Sequence, residues 1–303
     1  MDTIIGLGQI GCAIADKFAR HEQYQTFKIG IGLEGLKKDG IYDMPPQNGP
    51  ENYEQSCPNM RNFFKSIKGE ILFVLGGAED ITGAALHMLQ YLNHCDINIL
   101  YVRPDVQLLP DTKKQHEWVI FNVLQEYARS GVFKKIYLVD NTLIEEILGE
   151  VPVVGYFDKL NDAIVSTMHM INIYNHIDSV NDTFSDPYET HRIITFGIVD
   201  LKTGGTKMFF PLDGIKEIRY YYAINEDKLK EDGKLFSKIK KQVKKQASDD
   251  TKTSYGIFST NYDNDYAYVL CYAPSIQRQK INDAEPINLF AWQIKLLVVS
   301  LKK

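Results

Sequence analysis

Two glycine-rich turns carry the first chemistry in this sequence. Gly6-Leu7-Gly8-Gln9-Ile10-Gly11 follows the strand-like Thr3-Ile4-Ile5 and opens a stretch in which Ala13, Ile14, Ala15 and Phe18 have helical spacing. Glycines in that setting let the backbone approach a phosphate, and the free N–H groups of a helix N-terminus attract anions. Glu34, just beyond a second short strand at 27–32, stands where a dinucleotide-binding fingerprint places the acid that holds a ribose hydroxyl. The same turn could also need its glycines for strand-to-helix packing alone. A second turn, Gly76-Gly77-Ala78-Glu79-Asp80-Ile81-Thr82-Gly83-Ala84-Ala85, again separates a buried strand from a helix. Two such turns on separate strands exceed what one dinucleotide half requires. They suit a mononucleotide whose phosphates are cradled from two sides.

The elements that must hold these turns alternate along the chain. Glu70 to Leu75 is a continuous apolar run, as a parallel strand buried on both faces should be. A helix through Leu86, Leu89 and Leu92 follows, then a strand from Ile97 to Val102, an amphipathic helix over 113–129 and a strand from Lys135 to Val139. That order implies a parallel sheet with right-handed crossovers, an α/β, Rossmann-like nucleotide-binding domain. Residues 157–177 read as one long core helix of about 30 Å at 1.5 Å per residue. Its apolar face is Leu160, Ile164, Met168, Ile171 and Ile173. Residues 38–60, with Pro45, Pro46, Gly49, Pro50 and Pro58, read as a long loop, of a length that in a compact domain is usually functional or mobile. Beyond the core helix the texture changes to Ile-, Tyr-, Phe- and Thr-rich stretches at 191–223 and 254–272. A Lys-rich helical segment at 227–246 lies between them, and a last strand is expected from Ile294 to Leu301. The expected division is a nucleotide-binding domain over 1–178, core helix included, and a smaller α+β domain over 179–303.

Composition narrows the class. The 303 residues are 44% hydrophobic, 24% charged and 12% aromatic, ordinary values for a chain able to bury a real core. No apolar run approaches the ~18 residues of a membrane span, and no signal peptide fits the Met-Asp start, so a cytoplasmic protein is expected. A net charge of −5 argues against a general nucleic-acid binder. Cys12, Cys57, Cys95 and Cys271 are isolated and the histidines are scattered, so neither a metal site nor a disulfide framework is expected. The lysines at 234, 238, 240, 241, 244 and 245 suit an anionic partner or, more simply, a solvated helix face. Met168-His169-Met170 cannot converge on a metal, because neighbouring helix residues do not face one another. No Ser-His-Asp constellation or Walker loop is readable.

Four pieces in order resemble the tubulin/FtsZ superfamily over roughly residues 1–180. Gly8-Gln9-Ile10-Gly11, continuing through Ile14, Lys17 and Phe18, resembles the first nucleotide loop of tubulins. Residues 70–104 look like the signature strand, glycine loop and helix. Asp140-Asn141 with Leu143 resembles the next base-side loop, and Phe157-Asp158-Lys159-Leu160-Asn161 looks like the start of the core helix. The resemblance implies a GTP- or GDP-binding protein that uses Mg²⁺ and assembles head to tail into cytoskeletal filaments. It further implies that Gly8, Gln9 and Gly11 face the phosphates and Mg²⁺, and that Gly77, Thr82 and Gly83 form the second phosphate loop. Asn141 and Asn161 would bond ribose and guanine, whose edge needs the paired donor and acceptor an amide offers. Phe157 would stack on the base.

Departures from the family pattern shape the expectation. Ala78, Glu79, Asp80 and Ile81 interrupt a loop that is nearly all Gly and Thr in the family, and Ala13 replaces a polar base contact. Two carboxylates beside a triphosphate would repel it unless Mg²⁺ intervenes or the side chains turn away. Hydrolysis in the family uses acids supplied by a neighbouring subunit from an Asn-x-Asp-x-x-Asp loop. The counterpart is Asn181-Asp182-Thr183-Phe184-Ser185-Asp186, in which Asp186 aligns as the catalytic acid and the first acid is displaced by one position. The leading expectation is a guanine-nucleotide-binding, self-assembling protein, a GTPase at the subunit contact if competent. An alternative keeps fold and assembly without turnover; a third reading is an NAD-dependent oxidoreductase. Partners expected are copies of itself and adaptor or structural proteins. The sequence stops near its last expected strand, so the recruiting tail of cell-division FtsZ and the acidic tail of tubulins look absent. A role in plasmid, phage or organelle organisation follows as the expectation.

Overall fold

The computed structural model describes residues 1–33 and 39–278. Glu34 and the strand expected from Ile294 to Leu301 lie outside the described residues. Apolar runs become strands β1 (Thr3–Leu7), β2 (Gln25–Gly30), β3 (Ile41–Asp43), β4 (Glu70–Gly76), β5 (Asp96–Arg103) and β6 (Lys135–Asp140). The later strands are β7 (Asn181–Asp182), β8 (Ile193–Val199), β9 (Thr206–Met208), β10 (Glu217–Asn225), β11 (Lys252–Thr260) and β12 (Tyr266–Ala273). Between them run α1 (Gly8–Phe18), α2 (Pro50–Gln55), α3 (Ala85–Gln90), α4 (Asp111–Arg129), α5 (Asn141–Leu148), α6 (Tyr156–Tyr174), α7 (Glu226–Glu231) and α8 (Leu235–Gln246).

One sheet runs through all of it, in the order β3-β2-β1-β4-β5-β6-β8-β12-β10-β11-β7, with β9 hung on β8. Strands β3 to β8 pair in parallel, and β10 and β11 are parallel to each other. β12 is antiparallel to both of its neighbours, β8 and β10. Consequently β1, β4, β5, β6, β8, β10 and β11 all point the same way.

Helices cover both faces because the strands bury both. Along β4, Ile71, Phe73 and Leu75 join one core and Leu72 and Val74 the other, the period-2 alternation of a pleated strand. The first core is closed by α3 and α4 through Met88, Leu89, Ile120, Phe121 and Leu124. The second is closed by α1 and α6 through Ile14, Phe18, Leu160, Ile164, Met168 and Ile171. Each such side chain contributes about 1.5–3 kcal/mol when fully buried. The fold is thus α/β with a mostly parallel central sheet.

Two elements differ from expectation. The stretch at 38–60 is not all loop, since β3 adds a parallel edge strand and Pro50 starts α2 at the first helical position, where its missing N–H costs nothing. The Lys-rich helix breaks after α7 because the Asp232 side chain accepts from the Lys234 N–H at 2.9 Å, a turn that competes with helix continuation.

Candidate functional site

Register places the two glycine turns side by side. Leu7 of β1 pairs with Leu75 of β4, so the chain leaves the sheet at Gly8 and Gly76 from adjacent positions. Gly8 has φ +78°, which a side chain rarely adopts, and starts α1 directly from the strand. Gly11 lets α1 cross the sheet closely, as a Cβ there would lie 2.5 Å from the Val74 carbonyl.

Glu79 fills the space between the turns. Its Oε2 accepts from the Gln9 N–H at 2.5 Å and its Oε1 from the Ile10 N–H at 3.0 Å. Burial raises the carboxyl pKa, while those two amide bonds and nearby Lys113 oppose the rise. The Glu79 carbonyl is itself held by the Thr82 N–H at 3.0 Å and the Thr82 hydroxyl at 2.7 Å. His116 Nε2 lies 3.1 Å from that carbonyl and 2.8 Å from Thr82 Oγ1. A carbonyl only accepts, so Nε2 carries the proton; burial lowers the pKa of this imidazole and keeps it neutral. Lys113 pairs with Asp80 at 2.6 Å.

The remaining phosphate-side candidates are also engaged. A Cβ on Gly77 would lie 2.1 Å from Tyr101 Oη, and one on Gly83 would lie 2.0 Å from the Pro50 carbonyl oxygen. Tyr101 donates to Glu117 Oε1 at 2.8 Å, Arg103 approaches Glu117 at 3.5 Å and Asp140 at 3.4 Å, and Asp140 caps α5 by accepting from the Thr142 N–H. A buried polar chain thereby ties the second turn to the loop that carries Asn141.

The base-side candidates have a different character. Asn141 is buried at the start of α5, and its Oδ1 finds no hydrogen-bond partner among the described residues. Asn161 is buried on α6, and Phe157 at its start is 64% exposed, touching Tyr156 edge-on at 5.1 Å between centroids. Lys17 fixes α6 against α1 through Asp158 at 2.8 Å and Asp162 at 2.6 Å. An orphaned buried amide oxygen suits a base or ribose donor. The phosphate side does not suit a nucleotide as it stands, because Glu79 takes the α1 amides and Thr82 is spent on Glu79 and His116.

Asp186 lies at the other end of the molecule. Its carbonyl accepts from Lys252 Nζ at 2.9 Å, and Lys252 begins β11, whereas the glycine turns and Asn141 follow the ends of β1, β4 and β6. Since these strands run the same way, Asp186 lies at their starting ends and the glycine turns at their finishing ends. The Asp186 carboxylate makes no hydrogen bond or ion pair among the described residues, whereas Asp182 accepts from Ser179 and from the Phe184 N–H. A buried charged group secures this loop, with Arg219 donating to the Ser185 carbonyl and to Glu217.

Reading the sequence for phosphate loops missed the role of Glu79. The signal was present: Leu7 at the N-cap of α1 offers no side-chain acceptor and the first turn holds no acid, so the N–H groups needed an acceptor from elsewhere.

No protein-family model matches the chain, and no curated protein does. Solved structures do. The GTPγS-form protofilament of TubZ from Bacillus thuringiensis serovar israelensis is 17% identical with a TM-score of 0.65, covering 89% of this chain and 86% of that one. The TubZ-Bt four-stranded filament is 16% identical at TM-score 0.68, covering 99% and 90%. The empty FtsZ dimer of M. jannaschii is 12% identical at TM-score 0.65, covering 94% of each chain. The chain has the tubulin/FtsZ-like fold. No helix among the described residues is long and apolar enough to cross a membrane.

Proposed function

We propose that this protein is a tubulin-like assembly protein that joins head to tail with copies of itself, in the cytoplasm, as a filament. The observation that carries the reading is that Asp186 lies at the starting ends, and the glycine turns at the finishing ends, of strands that run the same way in a mostly parallel sheet. One chain cannot bring them together, but a second copy stacked in the same orientation can, and such a heterologous contact repeats without closing. Support comes from the similar structures, of which two are a TubZ protofilament and a TubZ filament. Val153 and Val154 are each 93% exposed beside Phe157, apolar surface on the end that would meet the next copy. The division at 178/179 then puts the glycine-turn end in the first part and Asp186 in the second, with adaptor proteins as further partners.

In this reading Asn141, Asn161 and Phe157 form the guanine side of a nucleotide site. Gly8, Gln9, Gly11, Gly77, Thr82 and Gly83 shape the turns, and assembly does not depend on turnover. The fold favours this over an NAD-dependent oxidoreductase. Sedimentation and electron microscopy of the purified chain, with and without GTP and Mg²⁺, test it. Filaments in either condition are expected; a monodisperse monomer at every concentration in both conditions overturns it. The free Asp186 carboxylate favours a second reading, GTP turnover at the contact. Asp186→Ala should then stop phosphate release and leave binding intact, and an unchanged release rate removes Asp186 from that role.

A further inference from the structure

We infer that Glu79 is the protein's own occupant of the anion seat at the start of α1, a carboxylate held where nucleotide phosphates would be received, and that it excludes them. For the identity of the displaced ligand this rests on the guanine-site reading above. The rest is geometry.

α1 has no local cap, and a residue 70 positions away supplies the missing acceptor with both carboxylate oxygens, one on each of two successive amides. Charge-assisted bonds of that kind are the stronger class. The seat is shaped for the carboxylate. A Cβ on Gly8 would lie 2.2 Å from Oε2 and one on Gly76 would lie 2.8 Å from Oε1, so the glycines of both turns make room for Glu79. Its backbone is clamped at the same time by Thr82 and His116 on the Glu79 carbonyl. An incoming phosphate would have to break two amide bonds and meet a like charge. The loop is therefore already in an anion-filled arrangement, and both turns keep their shape with no nucleotide.

Calorimetric titration of the full chain and of Glu79→Ala with guanosine, GTP and inorganic pyrophosphate tests this. In the wild type, GTP should bind no more tightly than guanosine, and pyrophosphate should not bind. In Glu79→Ala, guanosine affinity should be unchanged while GTP gains at least about tenfold and pyrophosphate becomes measurable. Pyrophosphate binding by the variant alone, with no guanosine binding by either protein, upholds the role of Glu79 and sinks the guanine reading. A wild type that binds GTP far more tightly than guanosine, unaffected by the substitution, overturns the role of Glu79 and leaves the guanine reading standing. A folded variant that binds no phosphate compound also overturns it. If Glu79→Ala fails to fold, the amide resonances of Gln9 and Ile10 in the wild type decide. They should not move as pyrophosphate is added, and saturable shifts overturn the inference.

Discussion

Lys17 is 4% exposed, and its ammonium lies 2.6 Å from Asp162, a helix away. With Asp158 at 2.8 Å, it ties the last turn of α1 to the first turns of α6. Burial works against the charge, but hydrogen bonds to Asp158 and Asp162 outweigh it, and the Lys17 pKa rises. Two carboxylates one helical turn apart are left facing each other when the ammonium goes. Lys17→Met should therefore cost about 1 kcal/mol, a value kept small because both acids are solvent-exposed. A denaturation midpoint equal to that of the wild type would show the clamp to be idle.

Acid should loosen a second contact, between the segment that follows α1 and the later turns of α6. His169 stacks on His21 with centroids 3.7 Å apart, and its Nδ1 lies 3.0 Å from Tyr24 Oη. Burial, reinforced by repulsion from His21, lowers the His169 pKa from 6.5 to about 4. A depressed folded pKa gives stability that is complete above the unfolded value of 6.5 and lost as pH falls through about 4. The loss reaches up to about 3 kcal/mol. His169→Gln should flatten the dependence in urea titrations from pH 7 to pH 4, and an equally steep variant would place the acid sensitivity elsewhere.

Gly77→Ala separates packing from ligand contact. A methyl group there would collide with Tyr101 Oη, which is buried and hydrogen-bonded to Glu117, so little can give way. The expected cost is about 1–3 kcal/mol with no ligand present. If thermal unfolding is unchanged, the glycine is not needed for packing and its phosphate role returns.

Phe157→Ala should behave in the opposite manner. The ring is mostly exposed, so stability should change by no more than about 0.5 kcal/mol. If the ring sits at the contact between copies, the critical concentration for sedimentable polymer should rise at least about tenfold. Assembly at the wild-type concentration would remove Phe157 from the interface.

Much of this fold could be read from local pattern. The run from Ile71 to Leu75 is apolar at every position because β4 is buried on both faces, and α6 announces itself through Leu160, Ile164, Met168 and Ile171. What could not be read depends on partners far apart in sequence. Glycines at 77 and 83 look alike whether they admit a phosphate or a neighbouring protein group, the Tyr101 hydroxyl at Gly77 and the Pro50 backbone at Gly83, since every such use deletes a Cβ. Glu79 reads as a repelling charge until the register of β1 and β4 brings it onto the amides of Gln9 and Ile10. Short-range propensity likewise missed β3, whose reason is tertiary, since it exists only by pairing with β2.

The position of β12 carries a consequence for biosynthesis. It is the last strand among the described residues, yet it sits inside the sheet, between β8 and β10. Until it emerges, β8 and β10 each present an open edge, rich in Ile, Tyr and Phe, of the kind that pairs with stray chains. At 5–20 residues per second the ribosome needs roughly 4–15 s to travel from the end of β8 to the end of β12. The nascent protein is therefore most vulnerable to aggregation while the chain between β8 and β12 is being made, and chaperone protection of this stretch should matter more than protection of the amino-terminal strands.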